Sequence, residues 1–360
     1  MANSKPYNLL DYDLGALADL LEANGFQRFR SQQLIKWIHQ RLLDNFDEMS
    51  NLGKALTSWL KENTIIQPPT IKHQQISKDG TIKWLLSSIE GNYEMVYIPE
   101  KNRGTLCVSS QVGCALACQF CATGKQGFTR NLACHEIIGQ LWLANRVVQS
   151  IHGKERSITN VVFMGMGEPL MNVGPVFRAI ELMLSDMAYG LSKYRVTVST
   201  VGVVPVMKKM LKKDGPALAV SLHAPNEMLR SKIIPLNQKF SLKLLLDTCR
   251  EYTKTTKREI TFEYTMMDDQ NDHIQHALEL AQILKQIDCK INLIPCNPIK
   301  DASFMPSSQK KLMAFQSTLQ KQGYHVTIRK TRGDDINAAC GQLAETFLKT
   351  KKSLVSIQTS

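Results

Sequence analysis

From residue 103 onward, short apolar runs alternate with amphipathic stretches, and this alternation constrains the fold more than any other feature of the chain. The strand-like runs are TLCVSS, ITNVVFMG, YRVTVST, PALAVSLH, REITFEYTMM and KINLIPCNP. Helical patterns fall between them, near 135–149, 174–187, 204–213, 241–254, 273–287 and 308–322. Many of the runs are nearly continuous in apolar residues, as strands are when both faces of a sheet are covered. Six βα repeats predict an α/β fold in which a parallel sheet curls into an open, partial (βα)6 barrel; a doubly wound open sheet is the competing arrangement. HVTIRKT predicts one further strand after the last repeat.

The 102 residues before the barrel read differently. Residues 1–66 carry apolar positions at three- and four-residue steps and predict a small helical unit, decorated by Arg28, Arg30, Lys36, Arg41, Lys54 and Lys61. Residues 67–102 alternate around the turn signals KDGT and EGNY and predict a short β meander leading into the barrel. The barrel with its C-terminal loop then spans 103–346, and 347–360 form a polar tail. A net charge of +12 favours a polyanionic partner, with nucleic acid first among them. No apolar run approaches a membrane span, and the N-terminus has no basic-then-apolar secretory pattern, so a cytoplasmic location is expected. Nine cysteines, an odd number, argue against a disulfide framework and for metal binding or thiol chemistry.

Three of those cysteines fall together in VGCALACQFCATG, where Cys114, Cys118 and Cys121 have C-x3-C-x2-C spacing just after the first barrel strand. In parallel α/β folds ligands collect at the carboxyl ends of strands, so this loop lies where chemistry is expected. A structural zinc site needs four ligands, and Cys134 or His135 could complete one. The tight trio fits better with a cubane iron–sulfur cluster that has three irons held by protein and the fourth open, with Phe120 shielding one side. Polar groups recur at later strand ends. Glu168 follows the second, behind Gly165 and Gly167, Ser199 ends the third, Ser221 and His223 end the fourth, and Asn297 follows the sixth.

The cysteine spacing at the opening of a βα barrel resembles the radical S-adenosylmethionine superfamily, and GMGEPL resembles the segment that holds the cofactor's amino group there. CVSSQVGCALACQFCATG, GMGEPL, VSLHAPN and RGDDINAACGQL together resemble the dual-specificity RNA adenine C2-methyltransferase family. That resemblance implies a radical-SAM barrel and a [4Fe-4S] cluster on Cys114, Cys118 and Cys121. It also implies two molecules of S-adenosyl-L-methionine per turnover, contacted by Gly167, Glu168, Ser199, Ser221, Leu222, His223 and Asn297. In the family, one cofactor molecule methylates a cysteine, here Cys340, and a 5′-deoxyadenosyl radical from the second activates that methyl. A second cysteine, here Cys107, resolves the covalent RNA adduct as a disulfide, and Glu94 accepts the C2 proton.

The implied substrates are 23S rRNA at the peptidyl-transferase centre and tRNA at the adenosine 3′ of the anticodon. An electron donor such as flavodoxin, a monomeric state and no membrane association complete the expectation. Lys125, Arg130, Arg329, Lys330 and Arg332 are expected to line the RNA approach. The competing functions are a C8-specific rRNA adenine methyltransferase of the resistance type and a non-catalytic, metal-stabilised RNA-binding protein.

Overall fold

The computed structural model describes residues 6–88, 90–153, 158–210, 215–299 and 304–343. The expected polar tail, 347–360, lies outside the described residues. Seven parallel strands pair in chain order: Arg103–Cys107, Asn160–Phe163, Val196–Thr200, Ala217–Ser221, Ile260–Met266, Cys289–Pro295 and His325–Ile328. In a doubly wound sheet the order reverses at a switch point. Here it never reverses, so every crossover runs the same way and the sheet curls into the partial barrel. The seventh strand is the further strand expected from HVTIRKT.

Strand Ile260–Met266 explains how the barrel is filled. Ile260, Phe262, Tyr264 and Met266 are fully buried in the main hydrophobic core. Thr261, Glu263 and Thr265, on the opposite face, line cavities inside the barrel. Alternation with period two thus sends apolar groups toward the helices and polar groups inward. Thr105, Thr197, Asn292 and Thr327 repeat the pattern on other strands. The barrel interior is therefore polar, where packed apolar layers would fill a closed eight-stranded barrel.

Helices Cys134–His152, Val173–Leu184, Leu242–Thr256, Ile274–Ile283 and Gln309–Lys321 cover the outside close to their expected places. The stretch expected near 204–213 is shorter, an α turn Val204–Met207 followed by a 3-10 turn Lys208–Met210. A helix without a sequence expectation, Glu227–Ile233, sits after the fourth strand and is capped by Asn226.

The meander consists of antiparallel strands Thr70–Ile76, Ile82–Ser88 and Gly91–Glu100. Its last strand pairs antiparallel with Arg103–Cys107, placing Val96 opposite Cys107. The meander thus extends the barrel sheet on the side where the barrel would otherwise close. The N-terminal unit holds helices Leu14–Ala23, Arg30–Ile35 and Lys54–Asn63, with one wider π turn at Lys36–Gln40. The second helix ends with this turn, and Leu42 follows at φ 56°. Leu17, Leu21, Leu34, Ile35, Ile38, Leu56 and Leu60 join the same core as the barrel. Trp142 Nε1 donates to the Ile38 carbonyl at 2.8 Å, tying the unit to the first barrel helix.

Candidate active site

The cysteine loop is clamped at its base by a two-stranded hairpin, Gln111–Gly113 against Phe128–Asn131. Gly113 has φ +72°, and a Cβ there would lie 1.8 Å from the Gly127 carbonyl oxygen, so only glycine fits. Cys114 N donates to that same carbonyl at 2.8 Å, and Cys121 N donates to Cys118 O at 3.1 Å. Cys114, Cys118 and Cys121 are free thiols lining one cavity. A second apolar cluster, including Leu116, Ala224, Ile233, Ile234 and Phe304, packs around Cys118 and shields that cysteine from water. Burial pushes Cys118 well above the ordinary thiol range and Cys114 to about 12, with neighbouring thiols adding to both. The sulfurs of Cys114 and Cys118 are costly as bare thiolates and favourable as ligands to a cluster that neutralises them, and Cys121 lines the same cavity. The donor set therefore fits an iron–sulfur cluster.

The same cavity gathers groups from the successive strand ends. Gly165, Gly167, Glu168, Ser199, Ser221, His223 and Asn297 all line it. Gly167, at φ +94°, lies so close to Gln111 that a Cβ would approach Gln111 Cβ to 2.4 Å. Glu168 is almost fully buried; its Oε2 accepts from Val201 N and its Oε1 from Leu170 N, each at 3.0 Å. Burial raises its carboxyl to about 7, so a cation entering the cavity would restore full ionisation. His223 has φ 57°, and its Nδ1 accepts from Thr265 N at 2.9 Å, which leaves the proton on Nε2. Burial, with Arg230 adding to it, lowers His223 to about 3 and keeps it neutral. Its ring meets Phe120 edge-on at 4.6 Å, so Phe120 does flank the cavity. Leu222 is placed differently: its side chain is buried in the main core, and its backbone N–H donates to Glu263 O at 3.0 Å.

Cys340 lines the cofactor cavity and also a second cavity inside the barrel, whose wall includes Cys107. The loop carrying Cys340 is held from several sides. Asn297 Nδ2 donates to Cys340 O at 2.9 Å, Ala122 N to Gly341 O at 2.8 Å, and Thr123 Oγ1 to Leu343 O at 2.6 Å. From the meander, Ser77 Oγ donates to Asp335 Oδ1 at 2.5 Å and Lys83 Nζ to Asn337 O at 3.2 Å. Burial raises both thiols, Cys107 to about 12, while Arg329 lowers each. Glu94 is fully buried in the meander, 3.5 Å from Lys83 Nζ, and lies outside the walls of both cavities.

Residues 7–66 match the family described as ribosomal RNA large subunit methyltransferase N-terminal domain, and residues 108–281 match the radical SAM superfamily. A solved structure titled as a radical SAM methyltransferase from Sphaerobacter thermophilus is 39% identical. The match covers 95% of this chain and 100% of that one, with a TM-score of 0.89. The chain belongs to the radical SAM methyltransferases. Two other solved structures are similar at lower levels. A domain of pyruvate-formate lyase-activating enzyme from Bacteroides vulgatus is 17% identical, covers 48% of this chain and 99% of that one, and has a TM-score of 0.37. SuiB of Streptococcus suis, bound to S-adenosylmethionine, is 8% identical over 65% of this chain and 55% of that one, with a TM-score of 0.47.

The methyltransferase takes a [4Fe-4S] cluster and S-adenosylmethionine as its superfamily does. Neither completing zinc ligand considered from sequence reaches the trio. His135 Nδ1 pairs with Asp11 at 2.9 Å, and Cys134 is buried at the start of a barrel helix. Arg130, expected near the RNA approach, forks both Glu136 oxygens at 2.7 and 2.8 Å. Arg329, Lys330 and Arg332 line the thiol cavity.

Sequence reading missed Glu263 and Arg230. Glu263 lines both cavities, and its Oε2 accepts from Ser199 Oγ at 2.8 Å and Ser221 Oγ at 3.4 Å. A single acid amid the apolar run REITFEYTMM was its available signal. Arg230 is buried and donates to Val201 O at 2.5 Å and Leu222 O at 3.3 Å, bracing two strand ends under the cofactor cavity. No helix among the described residues is long and apolar enough to cross a membrane.

Proposed function

We propose that this methyltransferase methylates C2 of adenosine in RNA, with Cys340 as methyl carrier and Cys107 as the thiol that resolves the adduct. The substrates are 23S rRNA at the peptidyl-transferase centre and tRNA at the adenosine 3′ of the anticodon. One observation carries the reading: Cys340 stands on the wall shared by the cofactor cavity and the thiol cavity, and Cys107 faces the second of these. Bound at Cys114, Cys118 and Cys121, the cluster with two S-adenosylmethionines per turnover would supply a methyl group and a hydrogen-abstracting radical. Glu168 would take the amino group of the cofactor, and Ser199, Ser221, His223 and Asn297 would orient the rest.

The chain's own thiols account for the unusual target. Adenine C2 is not a nucleophile, so a covalent carrier replaces direct displacement. Cys340 Sγ holds the one-carbon unit while it is joined to C2. Cys107 Sγ, as thiolate, then attacks Cys340 Sγ. The sulfur–carbon bond breaks, its electron pair stays on the carbon attached to C2, and that carbon takes a proton to become methyl. The thiols are left as a Cys107–Cys340 disulfide. Glu94 is the acceptor for the C2 proton. It is linked to the catalytic loop through Lys83, which also reaches the Asn337 carbonyl.

The division of labour follows the chain. Residues 103–346 do the chemistry, 67–102 seat the loop, and 1–66 hold RNA phosphates. In the last unit Arg28 and Lys61 pair with Asp19, Glu22 and Asp47, whereas Lys36 and Arg41 line a shallow groove with Phe29 and Trp37. Phosphate binding therefore falls to Lys36 and Arg41. The protein acts as a monomer with a one-electron donor of the flavodoxin class.

The deciding experiment incubates reconstituted enzyme with RNA, reductant and methyl-labelled S-adenosylmethionine, then identifies the nucleoside. C2-methyladenosine is expected; C8-methyladenosine would overturn the regiochemistry. Cys107→Ala should accumulate RNA–protein adduct and Cys340→Ala should form none. Adduct in the second variant would remove Cys340 from its role.

A further inference from the structure

Burial raises the Cys107 thiol to about 12 even with Arg329 lowering it, so without a cation nearby it would be a poorer nucleophile still. A resolving thiol with that character needs a local cation. The charged groups around the thiol cavity are Glu100 from the meander, Arg103 from the first barrel strand, Glu263 from the fifth, and Arg329, Lys330 and Arg332 from the end of the seventh. Most are committed elsewhere or stand in solvent. Arg103 lies 3.4 Å from Glu100, Arg332 lies 3.8 Å from Asp79, and Lys330 is exposed.

Arg329 is placed differently. Its backbone N–H donates to Leu293 O at 2.9 Å, which anchors it beside the sixth strand. Its Nη1 lies 3.7 Å from Met164 Sδ, and the Met164 backbone N–H reaches the Cys107 sulfur. The same Nη1 lies 4.0 Å from Glu263 Oε1. Its side chain is 25% exposed, so the cavity screens it only partly from the thiols.

We infer that Arg329, held by Glu263, is the positioning cation of the thiol pair, facing Cys107 and Cys340 across the barrel cavity and favouring the Cys107 thiolate. Glu263 extends this arrangement to the cofactor, because its other oxygen accepts from Ser199 and Ser221 on the cofactor wall. Filling the cofactor cavity and charging the resolving thiol thus share one carboxylate. The Cys107 proton leaves to water in the cavity, and Arg329 exchanges no proton. The inference rests on the two-thiol reading for its meaning in turnover, though not for its chemistry.

The test has two arms in anaerobically reconstituted holoenzyme. In the first, iodoacetamide labelling of Cys107 is followed from pH 6.5 to 9.5 by peptide mass mapping, with fully buried Cys249 as a reporter of any loosening of the fold. Arg329→Met should move the Cys107 profile up by about one pH unit and slow labelling at pH 8 about tenfold, while Arg329→Lys restores most of the rate. Arg329→Gln gives the same reading if the methionine variant exposes Cys249. A Cys107 profile unchanged in the folded neutral variants would overturn the assignment. In the second arm, with RNA, reductant and cofactor, the neutral variants should form adduct and release RNA about tenfold more slowly than the parent. Release at the parent rate would overturn it. If the labelling shift appears but the parent enzyme never forms adduct, the two-thiol reading fails and the Arg329 assignment stands.

Discussion

At the scale of single residues, Glu168 shows how a buried charge becomes useful. Its two oxygens are already satisfied by backbone N–H groups, yet burial raises the carboxyl to about 7. The ionised form is therefore penalised in the empty cavity. That penalty is absent below the ordinary value of 4.5, grows as pH rises from there, and is complete above about 7. A bound ammonium reverses the balance, because it interacts with the ionised form alone. Affinity for S-adenosylmethionine should therefore rise as pH goes from 6 to 8, measured by calorimetry on reconstituted enzyme. Glu168→Gln should flatten that dependence and weaken binding by about tenfold or more, the scale of one charge-assisted hydrogen bond. A variant with the parent's affinity and pH profile would remove Glu168 from the cofactor's ammonium. The sequence points to Glu168 through its place after two glycines at a strand end, although the same carboxylate also caps the turn Pro169–Met171. Glu263 gave only a weak signal, since one acid in a strand becomes meaningful once the strand's inward face is known.

At the scale of elements, the catalytic loop depends on partners far away in the chain. Asp335 accepts from Ser77 Oγ and from Lys78 N of the meander, and Gly333 N donates to Asp79. These bonds fix the approach to Cys340 without touching either cavity. Asp335→Ala should remove about 1–3 kcal/mol of loop anchoring. Cluster content should stay unchanged, methylation should slow several-fold, and hydrogen exchange over 333–343 should rise; equal exchange in both proteins would show that the tether is idle. The barrel strands and most helices are legible in the sequence because their patterning is local. The hairpin clamping the cysteine loop is not, because Gln111–Gly113 has too few residues for a period. The end of the second N-terminal helix is not legible either, because Leu42 takes a left-handed backbone that the apolar spacing of residues 1–66 does not foretell.

At the scale of the whole molecule, net charge separates into paired and available cations. Arg28, Lys61, Arg130, Lys290 and Lys311 are tied to carboxylates that the net charge already sets against them, so the +12 surplus that a polyanion meets comes from other cations. Lys36 and Arg41 share a groove with exposed Phe29, which suits a phosphate backbone with a base stacked beside it. Replacing both by glutamine should weaken RNA binding and lower the slope of log affinity against log salt by about one per residue. Deoxyadenosine release without RNA should be unaffected. A slope equal to the parent's would move the phosphate contacts elsewhere.

The sequence alone determined the class of the protein, because the relevant signals lie within short windows. Three cysteines within eight residues, a glycine pair before a glutamate, and six βα repeats each need only their neighbours to be read. Tertiary structure decided what no window contains. Cys107 and Cys340 come to one cavity because the first strand and the C-terminal loop meet across an unclosed barrel. The polar interior follows from which face of each strand curls inward, and curling is a property of the assembled sheet. Burial then turns ordinary thiols and a carboxylate into strongly shifted ones, and burial exists only once distant segments have packed together.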